Sequence, residues 1–117
     1  MRAVYKIILI ASLGCSGLAL GCGGEDPPMA PSDLELEMVE GQPSLTWVDN
    51  SEDEIHFMVL RRDGGEGAFA VVAEPPQNST TYTDSEVESG ATYSYVIVAM
   101  NDAGSSESTN EVSATIP

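Results

Sequence analysis

The sequence predicts an all-β chain: a sandwich of seven short strands in two sheets. Three observations lead there. Short runs rich in Val, Ile, Thr, Tyr, Phe and Trp alternate with clusters of Gly, Pro, Asn, Asp and Ser, which is how a sheet protein is punctuated. No segment of useful length carries the apolar period of a helix. The stretch TYSYVIVAMN, residues 92–101, is apolar on both of its alternating sets: Tyr93, Tyr95, Ile97 and Ala99 on one side, Val96, Val98 and Met100 with Ser94 on the other. One side must be core, and the other must also meet something.

The elements follow in order. The first strand covers Asp33 to Val39. The second, Ser44 to Val48, sets Leu45 and Trp47 on one side and Thr46 on the other. Residues 49–54 make a polar loop. The third strand, Ile55 to Arg62, runs into Asp63-Gly64-Gly65, a turn because glycine accepts positive φ. The fourth, Ala68 to Ala73, is closed by Pro75-Pro76. The fifth, Thr80 to Thr83, is short. The sixth occupies residues 91–100, and the seventh lies near Asn110 to Ile116.

The first 21 residues belong to no fold. Arg2 and Lys6 precede an apolar run that ends in small residues, the layout of a secretory signal peptide. A stop-transfer helix is the weaker alternative, since Gly14, Ser16, Gly17 and Gly21 interrupt the run and no basic flank follows it. The junction LALGC resembles a bacterial lipobox, with Gly21 before Cys22, although Ala19 stands where that motif favours Leu. The resemblance implies diacylglyceryl transfer to the Cys22 thiol, cleavage before it, and an exported, lipid-anchored product of the cell envelope, at the outer membrane or cell surface in a Gram-negative cell. Cys15 is a competing site, but it would leave an apolar stub, so Cys22 is preferred; an ordinary signal peptide with an incidental cysteine is the weaker alternative. Acyl chains anchor firmly, at about 0.8 kcal/mol per buried methylene.

Cleavage at Cys22 leaves 96 residues and no other cysteine, so no disulfide or thiolate metal cluster can form within the chain. It removes Arg2 and Lys6 and no acid. Two basic residues then stand against 19 acidic ones, a net charge of −17. So acidic a surface excludes nucleic acid and anionic headgroups as partners and favours solubility. Residues 22–31, Cys22 followed by GGEDPPMAP, are expected to be a flexible tether, because Gly, Pro and acids bury too little to fold. Extended, the nine residues after Cys22 reach on the order of 25–30 Å at about 3.1 Å each.

Nearly all of residues 31–117 resembles a fibronectin type III domain of the bacterial secreted kind, with the domain itself expected over residues 32–117. The markers are Pro31, Trp47, Phe57 and Val59, then Tyr82-Thr83-Asp84, then Gly90-x-x-Tyr93-x-Tyr95, then Ala99-x-Asn101-x-Ala103-Gly104. The resemblance implies an immunoglobulin-like sandwich, with the first, second and fifth strands in one sheet and the others in its partner. It places Trp47, Phe57, Val59, Tyr93, Tyr95 and Ile97 between the sheets. It also makes Tyr93 a tyrosine corner, its hydroxyl returning to backbone near Val87 or Glu88. Met58, Leu60, Val96 and Val98 then point outward from neighbouring strands as one apolar island on an acidic surface, a candidate face for protein contact or self-association.

Catalytic chemistry is not evident. His56 is the single histidine and has no Ser-His-Asp or His-rich constellation around it. No phosphate-cradling glycine loop or zinc spacing occurs. Residues 49–54, DNSEDE, offer hard oxygen ligands but lack an EF-hand's glycine and register, so they read as a loop whose acids cap the turn and pair with Arg61 or Arg62. Arg62-Asp63-Gly64 is no adhesion tripeptide, and Asn78-Ser79-Thr80 reads as a turn rather than a glycan acceptor. The expected function is a non-catalytic, lipid-anchored binding, adhesion or spacer module without cofactor or metal. The alternative is an accessory module of a secreted glycan-degrading system. Against that stands the lack of an exposed aromatic row, Tyr82 being the one aromatic expected near the surface. Carbohydrate is therefore a disfavoured partner.

Overall fold

The computed structural model describes residues 26–64 and 67–117; residues 1–25, with the expected signal segment and both cysteines, and residues 65–66, with Gly65 of the expected turn, lie outside them. Eight strands run in order: β1 (Ser32–Val39), β2 (Gln42–Val48), β3 (His56–Asp63), β4 (Ala70–Ala73), β5 (Thr81–Thr83), β6 (Thr92–Asn101), β7 (Gly104–Ser105) and β8 (Val112–Thr115). They make two antiparallel sheets. One has the order β1-β2-β5; the other has the order β4-β3-β6-β7, with β8 also pairing β6. This is the two-sheet sandwich anticipated from the strand pattern, with β7 as an eighth strand of two residues.

Local chemistry explains the borders. Glu40 and Gly41 sit at φ 54° and 81° between paired Val39 and Gln42, a two-residue turn of the kind that matches the twist of a hairpin. The second strand therefore starts at Gln42 and carries Pro43, whose carbonyl accepts from Asp84 N at 3.0 Å. Along β1, Leu34, Leu36 and Met38 face inward and Glu35 and Glu37 face water. Pairing with β2 slips between Ser32 and Glu35, where Asp33 has a φ of 56°. The Leu34 backbone turns instead to Asn110. Leu34 N donates to Asn110 Oδ1 at 2.9 Å, and Asn110 Nδ2 donates to Leu34 O at 3.0 Å. One amide side chain thus stitches β1 to the chain entering β8, across the two sheets.

Between β7 and β8 the last edge bows away from β6, and hydroxyls complete the ladder. Ser106 Oγ accepts from Ala99 N at 2.9 Å and Thr109 Oγ1 accepts from Ile97 N at 3.0 Å, while Ser106 N and Thr109 N donate to Ala99 O and Ile97 O. Both side chains are buried, so each satisfies an amide that would otherwise be orphaned.

The core lies between the layers. Leu34, Leu45, Trp47, Phe57, Val59, Tyr93, Tyr95, Ile97, Ala99 and Ile116 form one buried cluster. The Trp47 and Phe57 rings meet edge to face at 5.6 Å and 63°. Register fixes the two poles of the sandwich. Paired His56 and Met100, the 49–55 loop and the β6–β7 turn share one pole; paired Asp63 and Tyr93, residues 84–91 and Pro117 share the other.

The N-terminal segment departs from the expected free tether. Asn101 Nδ2 donates to Asp26 O at 2.9 Å, and Asn50 Nδ2 donates to Ala30 O at 2.9 Å and to Ser32 Oγ at 3.0 Å. Pro28 and Pro31 are buried. Residues 26–31 lie along the domain because proline rings have little conformational entropy left to lose and bury readily when the amides of Asn50 and Asn101 hold the carbonyls beside them.

Candidate contact face and buried polar groups

The outer face of the β4-β3-β6 sheet carries the four expected contact residues in two cross-strand pairs, Met58 opposite Val98 and Leu60 opposite Val96. None of the four belongs to the inter-sheet cluster. Their accessibility differs from the expectation, however. Met58 and Leu60 are half-buried, whereas Val96 and Val98 are 0% and 2% exposed. The two valines are the floor of a second, thinner apolar layer rather than a surface. Arg62, also on this face, is paired with Glu111 and lies over the Phe69 ring, 4.6 Å from guanidinium carbon to ring centroid. Val71, opposite Leu60, is 44% exposed. The accessible apolar patch is therefore Met58, Leu60 and Val71, shifted toward the β4 edge.

A second group was not singled out from sequence. Asp84, fully buried at the end of β5, collects three donors. Its Oδ2 accepts from Arg61 Nη1 at 3.0 Å and from the Tyr95 hydroxyl at 2.7 Å, and its Oδ1 accepts from Glu86 N at 3.0 Å. Arg61 also donates to Asp63 Oδ1 and Glu86 O, and its guanidinium carbon stands 4.8 Å from the centroid of the Tyr93 ring. The Tyr93 hydroxyl in turn accepts from Glu88 N at 3.0 Å. Burial, and next the hydrogen bond to the Asp84 carboxylate, push the Tyr95 phenol far above its usual range. Burial alone would lower the Arg61 pKa; the Asp84 hydrogen bond and charge outweigh it and raise it. The signal was available: Arg61 shares the inward phase of Phe57 and Val59, and an inward arginine requires an acid.

The 49–54 loop closes on itself rather than on the arginines. Glu54, 1% exposed, accepts from Ser51 Oγ at 2.8 Å and from Asn78 N at 3.0 Å. Asp49 Oδ1 accepts from Ser51 N at 3.1 Å and Ser51 Oγ at 3.2 Å. The two acids divide the burial cost. Desolvation raises Glu54 but its hydrogen bonds, that from Ser51 foremost, bring it below the usual carboxylate range; desolvation, with the neighbouring Glu54 adding to it, holds Asp49 above. Arg61 and Arg62 are engaged by Asp84, Asp63 and Glu111 instead. Among the described residues no group of three or more His, Cys, Asp or Glu is placed to hold a metal ion. His56 stands 4.0 Å from Glu74 at the strand end, and Asn78 occupies a turn at φ 68°.

No protein-family model matches the chain. Solved structures match its fold. The twitchin kinase region from C. elegans superposes with a TM-score of 0.66 at 20% identity, over 78% of this chain and 17% of that one. A Fn3-like protein from Clostridium thermocellum gives 0.64 at 24% identity, over 79% and 96%. A β-1,2-glucanase from Parabacteroides distasonis gives 0.62 at 24% identity, over 78% and 13%. The chain thus spans a small part of two of these proteins and nearly the whole of the third. The fold is that of a fibronectin type III domain.

Proposed function

We propose that the chain is a non-catalytic binding or spacer module held at a bacterial cell envelope by lipid on Cys22. The observation that carries the module reading is how the buried polar groups are used. Asp84, Arg61 and Tyr95 tie β3, β5 and β6 together; Glu54 closes a loop; Arg62 and Glu111 bridge β3 to the approach of β8. Each is committed to closure of the sandwich, and such domains serve many partners through their surfaces. The anchor is supported by LALGC and its flanks. The contact surface in this reading is the patch of Met58, Leu60 and Val71, for a partner protein or a second copy.

The β-1,2-glucanase match favours one second reading, an accessory module in a glycan-degrading system. Against it, every described aromatic is buried or half-buried, Tyr82 and Phe69 included, so no ring is laid open for sugar stacking. The test of the anchor is detergent partitioning with intact mass of the exported protein. The native chain should enter the detergent phase with a diacylglyceryl-sized increment on Cys22, and Cys22→Ser should lose both. A native chain that stays aqueous and unmodified would discard the anchor.

A further inference from the structure

We infer that residues 26–31 are a docked strap that fixes which end of the domain faces the membrane; this rests on the proposed lipid at Cys22. The strap is held by contacts at one pole. Asn101, 7% exposed, uses its two side-chain atoms separately: Oδ1 accepts from Ala103 N at 2.8 Å, closing the β6–β7 turn, and Nδ2 holds the Asp26 carbonyl. Pro27 lies beside that turn, where a Cβ on Gly104 would stand 3.9 Å from Pro27 Cγ, an ordinary van der Waals contact. Asn50, in the 49–55 loop, holds the Ala30 carbonyl. Two loops of the same pole therefore grip the chain from residue 26 onward.

The consequence is a matter of reach. From Cys22 to Asp26 there are four chain steps, which span at most about 14 Å at 3.3–3.6 Å each. A free segment through Pro31 would reach about twice as far. The docked strap brings the pole of Asn50, Asp53 and Asp102 within that short distance of the lipid. It sends the opposite pole, with Glu86, Glu88 and Pro117, outward by the length of β6, about 30 Å at about 3.3 Å per residue. The membrane-facing pole is itself acidic, with Asp49, Glu52, Asp53, Glu54 and Asp102, so the surface it tolerates at this range is zwitterionic or cation-screened rather than bare and anionic. The outward pole and the β4 edge are what remains for partners.

The experiment uses the full lipidated protein in phosphatidylcholine vesicles containing a headgroup-proximal spin-labelled lipid as quencher. Fluorophores are attached through Asp102→Cys in one sample and Glu88→Cys in another; both side chains are exposed. Quenching at position 102 should exceed that at 88 several-fold, and Asn101→Ala should narrow the gap by freeing the strap. Proton contacts between Pro27 and Gly104 in micelles should be present in the native chain and lost in the variant. Equal quenching on a chain whose mass confirms the lipid overturns the orientation alone. Missing Pro27–Gly104 contacts overturn the strap. A mass without the lipid overturns the anchor and the orientation with it.

Discussion

Tyr95 shows how one side chain can carry a pH dependence. In the folded state its phenol lies between buried hydrocarbon and the Asp84 carboxylate, and its pKa is raised above the ordinary value of 10.0. The proton that the unfolded chain releases above pH 10 is retained in the fold. The stabilisation is therefore complete below pH 10 and is lost as pH rises beyond it. Denaturant titrations between pH 8 and 11 should show stability falling at the alkaline end, with a shallower fall in Tyr95→Phe; Tyr82, raised as well, leaves some slope behind. An identical alkaline profile in both proteins would contradict this account. Asp84→Ala should be far more damaging than Tyr95→Phe at neutral pH, about 3–5 kcal/mol against about 1, because it strands the Arg61 guanidinium, whose side chain is only 16% exposed. Urea midpoints of the two variants measure the difference.

Among the elements, β1 and β8 depend on a residue that belongs to neither. Asn110 supplies both the acceptor and the donor that the Leu34 backbone lacks where β1 slips against β2. Asn110→Ala should cost about 1–3 kcal/mol and make the Leu34 amide exchange faster than those of β2. Asn110→Asp should recover the acceptor half alone. Unchanged exchange at Leu34 in the alanine variant would show that another group holds this junction.

Most of the strand pattern was legible in the sequence, and the exceptions have physical causes. Gln42-Pro43 reads as a break, since proline cannot donate to a ladder; Glu40-Gly41 makes the hairpin tight enough to place it in β2 all the same. The β7 strand of Gly104-Ser105 is too short to carry a period. Period two sorted the side chains of β3 and β6 into two sets and the resemblance to a fibronectin type III domain said which set faces inward, but neither could assign accessibility. That depends on how separate segments meet over a face, as Arg62, Glu111 and Phe69 do on this one. Residues 26–31 read as solvated because composition does not report two asparagines, at positions 50 and 101, waiting for their carbonyls.

Across the whole molecule, an apolar patch competes with a uniform sign of charge. Met58, Leu60 and Val71 offer modest area, and the chain carries a net charge of −15 before any processing. Two copies approaching through this face repel one another until salt screens them, over about 8 Å at 0.15 M. Sedimentation of the native protein should therefore show association that grows with ionic strength, and Leu60→Lys with Val71→Lys should abolish it without lowering the melting temperature. A charge at Val96 would test folding instead, since that residue has no exposed area. Salt-independent monomers at high concentration would leave the face to a different protein partner.

The double cover over β6 has a cost that shows outside the native state. Thr92 to Met100 is an uncharged, proline-free run of high sheet propensity, and seven of its nine residues are sealed in the fold. Released, it is an adhesive segment. Native burial and an excess of carboxylates in the flanking sequence are two independent guards over the same strand, so loss of stability and loss of charge should reinforce each other in driving it toward fibrils.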